Sequence, residues 1–312
     1  MTQLWVEEYR PRKISELILP ENTKKTLEHY VDAEEIPHLL FVSSAGMGKT
    51  SAAKSLAEEM NADYMMINAS LQNSIDSLRN EISQFASSMS IVDGGGKKIV
   101  ILDEADNLSA HFMSALRGFL EEFASNCRFI LTANFQNKII EPIQSRTTLV
   151  TFDYENKEQE KAAIASMYHR IAEILEKEGV SYEKKPLARL IQKFFPDFRK
   201  TLNTIEKFSA SGKIDSSVLD QVKDANIEKL ISLLKDQNFT EMRKWVAENS
   251  NTDEVVMIRR IYDNLYNFLE KESIPEAVLI LNSIQNELPF VADREICLVA
   301  GLTRLMLDCS FK

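Results

Sequence analysis

The chain has 312 residues, of which 44% are hydrophobic and 27% are charged. This length predicts about two or three domains, and the composition is typical of a globular protein with a sizeable core. No apolar run approaches the roughly 18 residues that span a bilayer, and no secretory signal is visible, so we expect a cytoplasmic protein with no membrane partner. The net charge of −10 argues against a chain that coats nucleic acid over its whole length, but it is compatible with a local basic face.

The first chemical motif follows a short apolar run at residues 39–42 and precedes a helical pattern that opens at Ser51. A strand, a loop with little side-chain bulk and a helix form a phosphate-binding P-loop, in which backbone N–H groups and a helix N-terminus face the phosphates. The predicted ATP-binding residues of this loop are Ser44, Ala45, Gly46, Met47, Gly48, Lys49, Thr50 and Ser51. Ser43 stands where the motif has its first glycine, and a strand-to-helix turn without a ligand is the alternative interpretation.

A second motif lies downstream, where the apolar run 99–102 ends in Asp103 and Glu104. An apolar run of this kind predicts a buried parallel strand, and carboxylates at its C-terminal end lie on the edge where α/β sheets bind ligands. We expect Asp103 to hold Mg²⁺ with Thr50, and Glu104 to orient and deprotonate the attacking water. A solvated helix cap is the alternative, and the upstream P-loop argues against it.

Strand and helix patterns alternate from residue 1 to residue 152, with further short strand candidates at 64–67, 128–132 and 149–152. This alternation predicts an α/β domain with a parallel sheet covered by helices on both faces. Apolar residues then repeat at helical spacing through a second region, 153–222, and a third, 223–312. The apolar stripes of the third region would form a core of their own or pack against other subunits.

Several other segments carry a family resemblance, namely 4–11, 36–41, 68–70, 75–86, 138–146 and 195–201. With the two motifs they resemble sliding-clamp-loader ATPases of the AAA+ class, and are similar to the small subunits of replication factor C. The segment 195–201 looks most like the bacteriophage members. The resemblance implies a Rossmann-like AAA+ ATPase domain, a helical lid and a helical collar that mediates oligomerisation, over the three regions above.

The resemblance also implies roles for residues around the bound nucleotide. Tyr9 and Arg10 fall in the N-terminal signature that runs along the adenine pocket. Asn134, after the strand candidate 128–132, matches the first sensor, and Arg199 matches the second sensor, which reaches ATP from the lid. By themselves, an Asn after a strand is usually a turn residue, and a single Arg is usually a solvated charge.

Two arginines match family residues that face the nucleotide of a neighbouring subunit. Arg146, in the Ser-Arg pair, resembles an arginine finger that acts in trans, a group worth roughly 10³–10⁵ in rate. Arg117 matches a second arginine of this kind, and a surface salt bridge is its alternative role. If Arg146 acts in trans, the isolated chain should hydrolyse ATP poorly.

The resemblance also implies contacts with DNA and with a clamp. Arg79 is the candidate for a DNA-phosphate contact, and an exposed helix arginine is the alternative. The family's acidic-acidic-basic segment is replaced by the neutral residues 71–73, so this chain lacks the basic position of that segment, where the family contacts phosphate. The apolar segment 85–92 lies where clamp loaders grip the clamp, with ordinary core packing as the rival interpretation.

The resulting hypothesis is an ATPase subunit of a DNA-replication clamp loader that converts ATP and water to ADP and phosphate with Mg²⁺. Its implied partners are copies of itself, a distinct small subunit, a sliding clamp and primer–template DNA. Two alternatives stay open from the sequence. One is a non-enzymatic clamp-loader subunit with a degenerate nucleotide site, and the other is a different AAA+ motor, such as a branch-migration helicase.

Overall fold

The computed structural model describes residues 4–69, 75–88, 98–210, 212–216, 218, 227–249 and 254–312. The chain forms two compact units, Met1–Leu219 and Asp220–Lys312. The boundary predicted between residues 222 and 223 lies outside the described residues. The boundary predicted between 152 and 153 lies within the first unit and stays a prediction.

The first unit is built on a parallel sheet, which confirms the predicted α/β class. Among the described residues its strands are β1 (Leu39–Val42), β2 (Asp63–Asn68), β3 (Lys98–Asp103), β4 (Cys127–Ala133) and β5 (Thr148–Thr151). Their order across the sheet is β2-β3-β4-β1-β5. The apolar runs predicted as strands from the sequence therefore all lie in this sheet, and β1, which leads into the P-loop, has a neighbour on each side.

Helices cover both faces of the sheet. The described helices of the first unit are α1 (Trp5–Glu8), α2 (Glu21–Asp32), α3 (Lys49–Glu59), α4 (Ile75–Ser87), α5 (Ala110–Glu122), α6 (Glu141–Gln144), α7 (Lys157–Lys177), α8 (Lys184–Phe194) and α9 (Phe198–Ser209). Side chains satisfy the free N–H groups where several of them begin. Asn156 accepts hydrogen bonds from Glu158 and Gln159 at the start of α7. Two short parallel strands, β6 (Ser181–Tyr182) and β7 (Lys213–Ile214), pair with each other.

The core of the first unit lies on the two faces of the sheet. Successive residues of a strand point to opposite faces, so Leu40 packs on one face and Leu39 and Phe41 pack on the other. Helices α4 and α5 contribute to the first cluster, and α2 and α3 contribute to the second. Burial of each such side chain stabilises the fold by roughly 1.5–3 kcal/mol. The sheet is therefore packed between helices on both of its faces.

Polar groups join the strands at their amino ends. His38, before β1, accepts a hydrogen bond at Nδ1 from the Phe129 backbone N–H at 3.1 Å. Its Nε2 lies 3.1 Å from the Leu120 carbonyl, to which the neutral imidazole donates. Burial lowers the pKa of His38, with a smaller effect from the charge of Arg128, and so favours this neutral form. The His38 carbonyl accepts from Thr148 N–H at 2.7 Å.

The second unit is helical, as predicted. Its described helices are α10 (Ile227–Lys235), α11 (Phe239–Glu248), α12 (Glu254–Phe268), α13 (Ile274–Glu287) and α14 (Arg294–Asp308). They share one apolar core that includes Trp245, Ile261 and Leu302. A Cβ added at Gly301 would meet Ile284 at 2.2 Å, so α13 and α14 approach closely there. Among the described helices of the whole chain, none is long and apolar enough to cross a membrane.

Candidate active site

The P-loop connects β1 to α3, and its shape depends on two glycines. Gly46 has a φ of +76° and Gly48 a φ of +87°, a left-handed conformation that side chains disfavour. Gly48 is the N-cap of α3, so Lys49 and Thr50 occupy the first turn of that helix. The N–H groups of a first helical turn have no partner within the helix, which makes this end suited to an anion.

Lys49 is the charged centre of the site, and its side chain is buried. Its Nζ donates to the carbonyls of Ser43 and Ser44 and to Asn134 Oδ1, each at 2.8 Å. Burial lowers the pKa of Lys49 to about 8, although the charges of Asp106 and Asp103 oppose this shift. Ser43 Oγ also lies within hydrogen-bond distance of Nζ, at 3.3 Å. Ser43, which replaces the motif's first glycine, therefore places two oxygens near the Lys49 ammonium.

Thr50, at the start of α3, and Asp103, at the end of β3, come together although β1, which leads to Thr50, is not adjacent to β3. Thr50 Oγ1 donates to Asp103 Oδ1 at 2.7 Å, and Thr132 Oγ1 donates to the same oxygen at 2.6 Å. Thr132, at the end of β4 between the other two strands, also accepts from Glu104 N–H at 3.0 Å. Hydroxyl and carboxylate oxygens are the ligands that Mg²⁺ prefers, with one or two carboxylates and substrate phosphates completing the shell. The donor set therefore fits Mg²⁺.

Glu104 and Asn134 extend this cluster. Glu104 has a left-handed backbone, with a φ of 57°, and its carboxylate accepts from Asn107 Nδ2 at 3.3 Å. Asn134 N–H donates to Asp106 Oδ2 at 3.2 Å. The other Asp106 oxygen is buried without a hydrogen-bond partner among the described residues. The buried Asp106 carboxylate thus holds the Asn134 backbone while Lys49 holds the Asn134 side chain.

An apolar wall extends the cleft away from the phosphate loop. Its lining residues include Val6, Pro11, Leu17, Ile18, Leu19, Tyr154, Met167, Phe195, Pro196 and Leu202. Tyr9 and Arg10 line the same cleft. The Tyr9 hydroxyl donates to Glu178, which raises the pKa of Tyr9 to about 12. Arg10 Nη2 pairs with Glu7 at 2.8 Å. An apolar surface with few polar groups suits a planar base.

The α9 helix closes the cleft from another side. Arg199 in its first turn lines the cleft, and so do the residues from Ala45 to Ser51 of the P-loop. Ser44 contributes its carbonyl to Lys49, while its hydroxyl lies 3.1 Å from Met47 Sδ. Phe198 N–H donates to the Gly46 carbonyl at 3.2 Å, so α9 contacts the loop directly.

The remaining predicted residues lie elsewhere on the first unit. Arg146 follows α6, and its Nε and Nη2 contact Glu121 Oε1 at 2.7 and 2.5 Å. Arg117 is exposed on α5. Arg79 lies 3.6 Å from Glu122 and 5.8 Å from the centre of the Phe119 ring. None of these described arginines lines the cleft.

Two sequence predictions fall wholly or partly outside the described residues. The neutral segment 71–73 lies outside them, as does the second half of the apolar segment 85–92. In the described half, Ala86 is buried and Phe85 packs partly against the core of the sheet. The structure therefore supports a packing role for these two side chains.

Sequence reasoning missed several residues of the site: Thr132, Asp106, Asp197, Glu178 and Arg170. Asp106 closes the run Asp-Glu-Ala-Asp, and Thr132 ends a predicted strand, so each carried a weak positional signal. Arg170 lines the cleft from α7, where it lies between the buried residues Met167 and Ile171. Nothing in the local sequence distinguishes it from a surface arginine.

The fold and the site together define a P-loop ATPase of the AAA+ class. Residues 39–153 match the family model of the ATPase family associated with various cellular activities. Residues 159–220 match the model of the AAA+ ATPase lid domain of the sliding-clamp-loader large subunit. ATPases of this class bind nucleotides and hydrolyse ATP.

Whole-chain relatives narrow the class. The chain is 32% identical over 311 residues to the sliding-clamp-loader large subunit of Enterobacteria phage T4, covering 98% of this chain and 96% of the relative. It is 36% identical over 252 residues to the replication factor C small subunit of Archaeoglobus fulgidus, covering 78% of this chain and 76% of the relative. The chain therefore belongs to the sliding-clamp-loader ATPase family.

A structural neighbour supports the fold alone. The RuvB Holliday junction branch migration motor of Thermotoga maritima aligns with a TM-score of 0.53 at 17% identity, covering 82% of this chain and 78% of that one. Identity this low says nothing about function. Of the two alternatives left open by the sequence, a branch-migration motor gains no support beyond a shared architecture.

Proposed function

We propose that the chain binds ATP with Mg²⁺ in this cleft and hydrolyses it as a subunit of a sliding-clamp loader. The observation that carries this proposal is the convergence of Lys49, Thr50, Asp103 and Asn134 at the carboxyl edge of one sheet. The similarity over 98% of the chain to a sliding-clamp-loader large subunit is the reason for proposing that the ATPase acts in clamp loading.

Within this proposal the P-loop residues hold the phosphates. The ammonium of Lys49 exchanges its present carbonyl partners for phosphate oxygens, and the free N–H groups at the start of α3 supply further donors. Thr50 and Asp103 hold Mg²⁺, whose chemistry there is to neutralise charge on the phosphate oxygens. Tyr9 and Arg10 lie beside the base, and Arg199 reaches the terminal phosphate from the lid.

Glu104 and Asn134 act on the attacking water. Glu104 accepts a proton from the water as the general base, and Asn134 orients the water and the terminal phosphate. The hydrogen bonds from Asp106 and Lys49 hold Asn134 in place for this role. Because these groups are already in position, no free energy is needed to reorganise them when the reaction occurs.

Arg146 and Arg117 complete the site of a neighbouring subunit. Both lie outside their own chain's cleft, which is the arrangement that action in trans requires. The assembly contains further copies of this chain and a distinct small subunit. It holds an opened clamp when ATP is bound, and DNA stimulates hydrolysis and clamp release.

Arg79 contacts primer–template phosphate.

The test is an ATPase assay on the parent chain, Lys49→Ala and Glu104→Gln. We expect low turnover by the chain alone, which rises with partner subunit, clamp and primed DNA. Lys49→Ala should abolish binding, while Glu104→Gln should bind ATP but lose roughly 10²-fold or more in turnover. Lys25→Ala and Glu21→Gln are matched controls, because these two residues form an exposed ion pair on α2.

Two outcomes of this assay would contradict parts of the proposal. Full stimulated turnover by Lys49→Ala would identify a non-enzymatic subunit beside another active one. High turnover by the isolated parent chain, without DNA, would contradict completion of the site in trans.

A further inference from the structure

The lid helix α9 begins directly on the P-loop. Besides the hydrogen bond from Phe198 N–H to the Gly46 carbonyl, the Asp197 carboxylate packs against Gly46. A Cβ built on Gly46 would lie 1.8 Å from Asp197 Oδ1 and 2.3 Å from Asp197 Cγ. The carboxylate therefore occupies the space that any side chain at position 46 would need.

Asp197 is also the N-cap of α9. Its Oδ1 accepts from Lys200 N–H at 2.8 Å, and its carbonyl accepts from Thr201 Oγ1 at 2.8 Å. One carboxylate thus satisfies the first turn of the helix and touches the phosphate-binding loop. Arg199 is the second residue of that turn, and it lines the cleft. The start of α9 and the loop are therefore fixed to each other by the same side chain.

We propose that Asp197 is a positioning residue that seats α9 on Gly46 and so directs Arg199 toward the terminal phosphate of ATP. The inference rests on the proposed role of Arg199. An arginine has many rotamers, so its contribution to binding depends on how firmly its backbone is held near the ligand. The effect should be specific to the triphosphate, because ADP lacks the group that Arg199 reaches.

The shape of Asp197 matters here more than its charge. An asparagine keeps the capping oxygen and the bulk of the side chain, while it removes a negative charge near the phosphates. Alanine removes the cap and the contact with Gly46 together. Asp197→Asn should therefore retain the function that Asp197→Ala loses.

The experiment measures binding of fluorescent ATP and ADP, with Mg²⁺, to the full chain in a Glu104→Gln background that prevents turnover. The variants are Asp197→Ala, Asp197→Asn, Arg199→Ala and the double variant Asp197→Ala with Arg199→Ala. Asn156→Ala is the matched control, because Asn156 caps the lid helix α7 and is not among the described residues that line the cleft. Circular dichroism checks that each variant is folded.

We expect Arg199→Ala to weaken ATP binding about tenfold and Asp197→Ala at least about threefold, with ADP affinity unchanged. Asp197→Asn should stay within about twofold of the parent, and the double variant should be no weaker than Arg199→Ala. Asn156→Ala should leave the ratio of ATP to ADP affinity unchanged.

Three outcomes would overturn the inference while leaving ATP binding intact: equal weakening of ATP and ADP by Asp197→Ala, an added loss in the double variant, or the same change in Asn156→Ala. If Arg199→Ala itself leaves ATP affinity unchanged, the proposed role of Arg199 is wrong and the inference is lost with it. Failure of the parent chain to bind ATP at all would instead contradict the proposed function.

Discussion

The phosphate side of the cleft and the face that carries Arg146 belong to the same unit, yet their charges are compensated in different ways. Lys49 is buried, and several oxygens of its own chain surround its ammonium. Arg146 leaves about a third of its side chain exposed and pairs with Glu121, whose side chain is more exposed still. One cation is built into the core, and the other lies on the surface.

This difference indicates which half of an ATPase site one chain can form alone. A buried charge requires fixed partners, so the cleft must be assembled when the unit folds. An exposed ion pair contributes only about 0–1 kcal/mol, so Arg146 can exchange Glu121 for a stronger acceptor at little cost. A phosphate on a neighbouring subunit would be such an acceptor.

The largest expected effect separates the two regions directly. Arg146→Ala should lower the DNA-stimulated ATPase of the assembled loader by roughly 10³–10⁵, because transition-state charge loses its partner. ATP binding by the isolated chain should not change, since Arg146 lies outside its own cleft. Steady-state turnover and equilibrium binding measure the two quantities. Arg259→Ala, which removes another exposed ion pair, is the control.

Equal loss of turnover and of binding in the isolated Arg146→Ala chain would place this arginine in its own site and remove the contrast between the two regions.

A second prediction concerns the protonation of Lys49. The pKa of its ammonium, read from the ¹³Cε chemical shift, should be about 8 in the free chain, against the ordinary value of 10.5, because burial disfavours the charged form. Between these two pH values the unfolded chain binds more protons, so this group makes the folded state more stable as pH rises. Bound phosphates should raise the pKa again.

The ¹³Cε signal of Lys49 is assigned as the signal that disappears from the spectrum of the Lys49→Arg variant. A midpoint above pH 10 in the free chain would show that Lys49 is solvated like a surface lysine.

A third prediction tests the Thr132 hydroxyl, which donates to the Asp103 carboxylate and accepts from the Glu104 N–H. Thr132→Val should lower the free energy of unfolding of the first unit by about 1–3 kcal/mol, because the partly buried Glu104 N–H loses its acceptor and the Asp103 carboxylate loses a donor. Thr132→Ser keeps the hydroxyl and should cost only about 0.8 kcal/mol for the lost methyl group. Urea unfolding compares the two variants. Equal stabilities would mean that the hydroxyl makes no net contribution.

The smallest expected effect is a change in stability at Gly118 on α5, outside the cleft. A Cβ at Gly118 on α5, next to Arg117, would meet nothing within 4 Å. Gly118→Ala should therefore stabilise the first unit by about 0.5–1 kcal/mol through helix propensity. Nucleotide affinity should stay the same, because the change is remote from the cleft. A shift in thermal midpoint without a shift in affinity would support the independence of the two regions.

The sequence predicted the strands of the sheet and the loop that follows β1. Apolar runs marked the strands, and the glycines marked the loop, because these features depend on neighbours in the chain. The strand order could not be predicted from the residues alone. Since β4 lies between β1 and β3, Thr132 reaches both Asp103 and Glu104. Glu121 beside Arg146 and Asp197 beside Gly46 likewise depend on tertiary packing that no local pattern records.

The polar contacts of the cleft have a further consequence for how the sheet forms. Strands β1 and β3 are buried almost throughout, so apolar side chains cover both of their faces. A slip of one residue exchanges the two faces, and in a sheet buried on both sides hydrophobicity hardly opposes such a slip. The bond from Thr132 to Asp103 and the bond between Phe129 and His38 join fixed positions of neighbouring strands, so a slip of one residue breaks them. The residues proposed to hold the nucleotide thus also favour one alignment of the strands.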